Sequence, residues 1–362
     1  MSGRATIVST GACLPGEPID NAFLEQLAGP LPEEVLSALQ VQRRHWIIDP
    51  QTGRHRYANS DLALGAAREA LERAGLEAAA IDLVIVSSSS PDQLLPPLSA
   101  HLQDRLGIRR CATLDIRSGC AGAVAAMDVA RYHVESGRSR NALVVGSEVI
   151  SPLLYPIFGG REPDSIRVRD RINVYNFGDG AGAVIMSLTD QGGILGAAMA
   201  GVGGGSPPGM QIIGGGSLEP LHELVKRPRP LELKMDVTEV GRRSPVVLAE
   251  AIRDVLRAAH VDAADVAAAV IPEGNAGYLV QGLLDAGLDA GDLSSVQDVV
   301  LENLSDVAAT GSAAAPLSLD AAWKAGRLRQ GDRVLLIGME SSRWIYAGLV
   351  IEWTAGPPQG AA

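Results

Sequence analysis

Apolar positions recur along this chain in two registers. In residues 67–86, AREALERAGLEAAAIDLVIV, they keep a helical spacing as far as Gly75 and become continuous near Leu83. That pattern predicts an amphipathic helix, a turn and a buried strand. Residues 252–271, IRDVLRAAHVDAADVAAAVI, repeat it 185 positions later, with Arg68 opposite Arg253, Leu71 opposite Leu256 and Ile81 opposite Val266. A second pair follows. The helix after Cys120 ends at Gly137 before a strand near Ala142–Val145, and the helix after Ala309 ends at Gly326 before a strand at Val334–Ile337. Each glycine precedes an Arg-x-Arg, a helix stop signal. Counting 17 residues back from each glycine pairs Cys120 with Ala309, and the small residues there predict two helices packed closely at the centre. Strands and helices alternate throughout, which predicts mixed sheets covered by helices. The glycine-rich stretch 187–240 reads as the connection, dividing the chain into halves at 1–190 and 191–362.

Composition narrows the function. Of 362 residues, 46% are hydrophobic and 20% charged, a globular balance. No apolar run reaches the roughly 18–20 residues of a membrane span, and the N-terminus lacks a signal peptide's apolar centre, so cytoplasm is the expected location and no membrane partner is expected. A net charge of −11 argues against nucleic acid. Lysine occurs only at Lys226, Lys234 and Lys324. The cysteines, Cys13, Cys111 and Cys120, form no CxxC pair, so no disulfide framework or zinc site is expected.

Cys120 differs from the other two. It stands in DIRSGCAGAV, between a predicted strand (112–116) and a helix beginning near Ala121. Unpaired N–H groups and about half a positive charge at a helix N-terminus stabilise a thiolate. Such thiols are competent nucleophiles. Gly119 and Gly122 permit a tight turn, and the Cys120 N–H is expected to donate to the oxyanion formed on attack.

The opening TIVSTGACLP, the loop LVIVSSSSPDQLLPP, DIRSGCAGAVAAMDVARYHVESG, ALVVGSE, NFGDGAGAV (176–184) and the closing VLLIGMESSRWIYAGLVIEW together resemble β-ketoacyl-acyl-carrier-protein synthase III and its relatives in the thiolase superfamily. The resemblance implies a five-layered αβαβα fold of two duplicated halves, a homodimer, and an acyl group carried as a thioester on Cys120. It implies no cofactor and no metal, and it makes NFGDGAGAV structural.

The chain departs from that family where decarboxylation is performed. The family's histidine position holds Glu273, in IPEGNAG, and its asparagine position holds Ala309, in ATGSAAAP. None of His45, His55, His101, His133, His222 and His260 belongs to an active-site motif. Histidine and asparagine donate hydrogen bonds to a developing enolate, whereas an ionised carboxylate cannot donate and repels a malonyl carboxylate by several kcal/mol in order of magnitude. Glu273 is suited instead to general-base work. The tryptophan and arginine that clamp coenzyme A match Val35 and Leu39, which favours a carrier-protein donor. The oxyanion-hole glycine triplet is replaced by Glu340-Ser341-Ser342, leaving the Ser341 backbone N–H as the second donor. Leu95 matches a residue that ends the acyl tunnel. Arg161, Arg167, Arg169 and Arg171 form a basic cluster suited to an acidic carrier protein.

The expected reaction is transfer of an acyl group from acyl carrier protein through Cys120 to a small-molecule or carrier-bound acceptor, without decarboxylation. Attack by carbon would be a tetronate-like condensation; attack by oxygen or nitrogen would be plain acyl transfer. Two alternatives stand beside it. An ordinary decarboxylating synthase would need Asn275, Asn303 or Asp306 to replace the missing donors. A non-catalytic partner subunit would keep Cys120 as a relic.

Overall fold

The computed structural model describes residues 3–272, 276–285, 287 and 289–357. Ten strands form two five-stranded sheets. The first holds β1 (Arg4–Cys13), β2 (Leu83–Ser87), β3 (Ala112–Ile116), β4 (Asn141–Glu148) and β5 (Gly180–Thr189), in the order β1-β5-β4-β2-β3. The second holds β6 (Gly193–Gly201), β7 (Ala268–Val270), β8 (Val300–Leu301), β9 (Arg333–Glu340) and β10 (Ile345–Glu352), in the order β6-β10-β9-β7-β8. One topology is therefore used twice. In each sheet the last three strands of that order run parallel and the first two join antiparallel. A short turn at 190–192 leads from β5 into β6.

Five helices complete the layers: α1 (Asn59–Ala74) and α2 (Leu98–Arg105) outside the first sheet, α3 (Gly122–Glu135) and α5 (Ala314–Lys324) between the sheets, and α4 (Val237–Ala259) outside the second. This is the αβαβα arrangement of two duplicated halves. The central strands are buried on both faces, which is why they read as continuous apolar runs rather than alternating ones. Val84 and Leu143 face α1, while Leu83 and Val144 join Val124, Leu319 and Leu336 in the central layer. Leu335 and Val350 turn outward to Leu248 and Ile252 of α4.

The repeat extends to loop geometry. Gly75 (φ 63°) ends α1 in the left-handed region and is followed by a 3₁₀ turn at Ala78–Ala80. His260 (φ 54°) ends α4 the same way, before a 3₁₀ turn at Ala263–Asp265. His260 is thus a helix terminator.

Counting back from the stop glycines mispairs the central helices. Cys120 lies in a 3₁₀ turn, Gly119–Ala121, ahead of α3; the corresponding turn ahead of α5 is Gly311–Ala313, which puts Ser312 opposite Cys120. The second helix is 11 residues long against 14, so the count lands three positions early, on Ala309.

Other expectations need correction. The four arginines lie in GREPDSIRVRDR (160–171), which holds a 3₁₀ turn (Pro163–Ser165) and enters a helix, Val168–Asn176. Its basic cluster is divided. Buried Arg171 donates to the carbonyls of Pro30 (2.8 Å) and Pro163 (2.9 Å), leaving Arg161, Arg167 and Arg169 at the surface. The stretch 187–240 is partly regular, with a hairpin of Met210–Ile213 and Glu232–Met235 beyond β6. Among the described residues no helix is long and apolar enough to cross a membrane.

Candidate active site

Cys120 is half-buried at the point where β3 gives way to α3. Two features let the chain turn there. Gly119 adopts φ 50°, a left-handed conformation that costs a residue with Cβ about 1–2 kcal/mol. Gly122 is helical, and a Cβ on it would lie 2.1 Å from Ser87 Oγ, so its role is close packing.

The second half holds this turn from two sides. Ser312 Oγ donates to the Gly119 carbonyl (2.9 Å) and lies 3.1 Å from Ser87 Oγ. Ser312 N–H reaches Glu148 Oε2 (3.3 Å). Buried Glu148 also accepts from Ser89 N–H (2.9 Å) and from Ser90 Oγ. Its carboxyl is pushed up by burial, against the opposing pull of these hydrogen bonds.

On the other side stands Glu340, at the end of β9. The residue is buried, 3% exposed. Oε2 accepts the Cys120 N–H at 2.8 Å, and Oε1 accepts the Ser342 N–H at 2.6 Å. The expected oxyanion donor at Cys120 is therefore engaged by a carboxylate from the same chain, 220 residues away. The turn behind Glu340 is firmly anchored. Ser341 carbonyl accepts Gly209 N–H (3.0 Å), Trp344 (φ 56°) accepts Val202 N–H at its carbonyl (2.8 Å), and its indole N–H donates to Pro207 O (2.9 Å).

Ala309 lies two residues before the Gly311–Ala313 turn. Its N–H donates to Asn176 O (2.9 Å), and its carbonyl accepts Gly178 N–H (3.1 Å). With the backbone so engaged, it presents only a methyl group. The neighbouring Thr310 is fully buried, and its hydroxyl has no partner among the described residues.

The remaining expected residues fall elsewhere. Asp306 pairs with Arg43 at 2.9 Å, both side chains more than half exposed. Asn303 Oδ1 accepts Ser318 Oγ (2.6 Å), and His222 lies at the surface beside Glu223. Leu95 is 78% exposed in the loop before α2. Val35 and Leu39 lie against the outer core of the first half. Glu273 and Asn275 lie outside the described residues. Cys13 and Cys111 have thiols pushed up by burial, unlike reactive cysteines. Asp179 of NFGDGAGAV, fully buried, accepts from Ile47, Ile150 and Ser151 N–H, and so ties three segments together. The sequence places Glu340 in the segment that replaces the oxyanion-hole glycines, but it shows neither the hold of Glu340 on the Cys120 N–H nor the role of Ser312.

Known proteins match this arrangement. The family model for 3-oxoacyl-[acyl-carrier-protein] synthase III covers residues 114–203, and its C-terminal counterpart covers 256–353. A β-ketoacyl-[acyl-carrier-protein] synthase III from Syntrophomonas wolfei is 30% identical over 97% of this chain and 98% of its own. Among solved structures, AbyA1, a tetronic acid condensing enzyme, superposes with TM-score 0.81 at 26% identity, over 96% of this chain and 99% of that one. The priming β-ketosynthase of the R1128 polyketide pathway gives 0.77 at 26% identity, over 98% and 97%. A cysteine turned out of a strand onto a central helix, in a doubled αβαβα frame that these proteins share over nearly their whole lengths, places this chain in the β-ketoacyl-acyl-carrier-protein synthase III family of condensing acyltransferases.

Proposed function

We propose that the enzyme takes an acyl group from an acyl carrier protein onto Cys120 and transfers it to an acceptor without decarboxylation. The lack of an amide in the 309–312 segment carries this reading. Where the family resemblance places an asparagine amide, this segment offers only the methyl group of Ala309, on a backbone whose own N–H and C=O are both engaged, and the buried hydroxyl of Thr310. Loss of carbon dioxide from a malonyl thioester leaves an enolate that needs such donors. Two acidic side chains, Glu340 beside Cys120 and Glu273 at the family's histidine position, oppose a malonyl carboxylate by like-charge repulsion. Glu273 is the base of the second step, removing a proton from an acceptor already acidified between two carbonyls, or from a hydroxyl or amine. Similarity to a tetronic acid condensing enzyme supports the carbon acceptor.

The assembly in this reading is a homodimer. β3 is an edge strand carrying exposed Leu114, and its Asp115 accepts the N–H groups of Leu98 and Ser99 that follow the loop bearing exposed Leu94 and Leu95. Pairing this edge with a second copy would cover all three leucines.

The test is release of radiolabelled carbon dioxide from malonyl-acyl carrier protein in the presence of an acyl donor. The expected result is no release, with acyl transfer to a β-ketoacyl thioester. Release coupled to product would establish the ordinary decarboxylating reaction, the reading favoured by similarity to a priming ketosynthase.

A further inference from the structure

We propose that Glu340 plugs the oxyanion site of the resting enzyme and is displaced by the acyl carbonyl during loading. The proposal rests on acyl-Cys120 formation and concerns its first step, before any acceptor arrives. In that step the Cys120 sulfur attacks the thioester carbon, the carbonyl π pair moves onto oxygen, and collapse of the adduct expels the donor's thiolate. That thiolate takes up the proton the cysteine gave up.

The developing oxyanion needs the N–H of the nucleophile's own residue. Here that N–H donates to Glu340 Oε2 at 2.8 Å. The carboxylate is fixed from its other oxygen by Ser342 N–H, in a residue that is 3% exposed. The site is also shaped for it: a Cβ on Gly119 would lie 1.7 Å from Glu340 Oε2, so only glycine leaves room. A neutral thioester carbonyl is a weaker acceptor than a carboxylate and does not take the N–H in the ground state. An oxyanion carries a full charge and competes on equal terms. The exchange therefore falls in the transition state. Glu340 slows loading without weakening donor binding, and its charge beside the sulfur opposes the thiolate that the helix N-terminus favours.

The test compares native protein with Glu340→Gln and Glu340→Ala in two assays. The first is single-turnover loading from hexanoyl-N-acetylcysteamine thioester, followed by intact mass. The second is alkylation of Cys120 by iodoacetamide at fixed pH, which involves no acyl group. Glu340→Gln preserves the side chain's volume and so keeps the fold testable. The expected result is a maximal loading rate about ten- to a hundredfold higher in both variants, the scale of exchanging a charge-assisted hydrogen bond for an ordinary one, with half-saturation unchanged. Alkylation should also be faster. Loading at or below the native rate, or unchanged alkylation, would overturn the proposal. If no protein loads the thioester, acyl-Cys120 formation fails, while alkylation still decides for or against the plug.

Discussion

Glu340 and Gly119 are predicted to be energetically coupled, and the coupling follows from the geometry. A methyl group added at Gly119 meets Glu340 Oε2 at 1.7 Å, Cδ at 2.4 Å and Cγ at 2.9 Å, its three nearest neighbours. Gly119→Ala therefore combines two costs. Holding a residue with Cβ at φ 50° costs about 1–2 kcal/mol. Forcing the buried carboxylate aside adds about 1–3 kcal/mol, as overpacking does elsewhere. The single variant should lose about 2–5 kcal/mol in total. In a Glu340→Ala background only the backbone cost remains, about 1–2 kcal/mol. Urea unfolding of native protein, both single variants and the double variant gives the interaction energy directly, with an expected value of about 1–3 kcal/mol. Costs that add to within about 0.5 kcal/mol would refute the placement of Glu340 over Gly119.

Further outcomes can be checked separately. Burial raises the Glu148 carboxyl above its ordinary value of 4.5, so its ionisation is disfavoured in the folded chain. Its contribution to stability is fully present below that value and is lost as pH rises toward the folded one. The stability of Glu148→Gln relative to native protein should therefore increase as pH rises above 4.5 in urea titrations; a constant difference would contradict this. Arg171→Ala should lose roughly 2–4 kcal/mol, because the two charge-assisted bonds from the buried guanidinium to the Pro30 and Pro163 carbonyls disappear. By contrast, Arg169→Glu should change stability by no more than about 0.5 kcal/mol while weakening carrier-protein binding measured by calorimetry. Leu95→Asp should shift the protein toward monomer in sedimentation velocity, since a charge would replace an apolar contact in the proposed dimer.

The sequence disclosed the frame better than the site. Both αβ repeats were visible because the matching helices and strands keep their spacing, down to left-handed terminators at Gly75 and His260. The turn bearing Cys120 was legible from its flanking glycines, since a tight strand-to-helix entry needs them. The pairing of Cys120 with Ala309 misled, because helix length differs between the halves while the entry turn is what the fold repeats. The basic cluster misled in another way: charge along a string does not reveal that Arg171 points inward to two carbonyls. Glu340 could be placed near the oxyanion hole by resemblance, but its hold on the Cys120 N–H depends on two segments meeting across the central layer. That contact follows from packing, and no local pattern encodes it.

The central claim, that this condensing enzyme carries its substrate on Cys120, is tested most directly by intact-protein and peptide mass spectrometry after incubation with hexanoyl-acyl carrier protein. The account predicts one hexanoyl adduct, located on the peptide containing Cys120 and missing from Cys120→Ala. An adduct on another residue, or no adduct across a panel of acyl-carrier and coenzyme A thioesters, would contradict it.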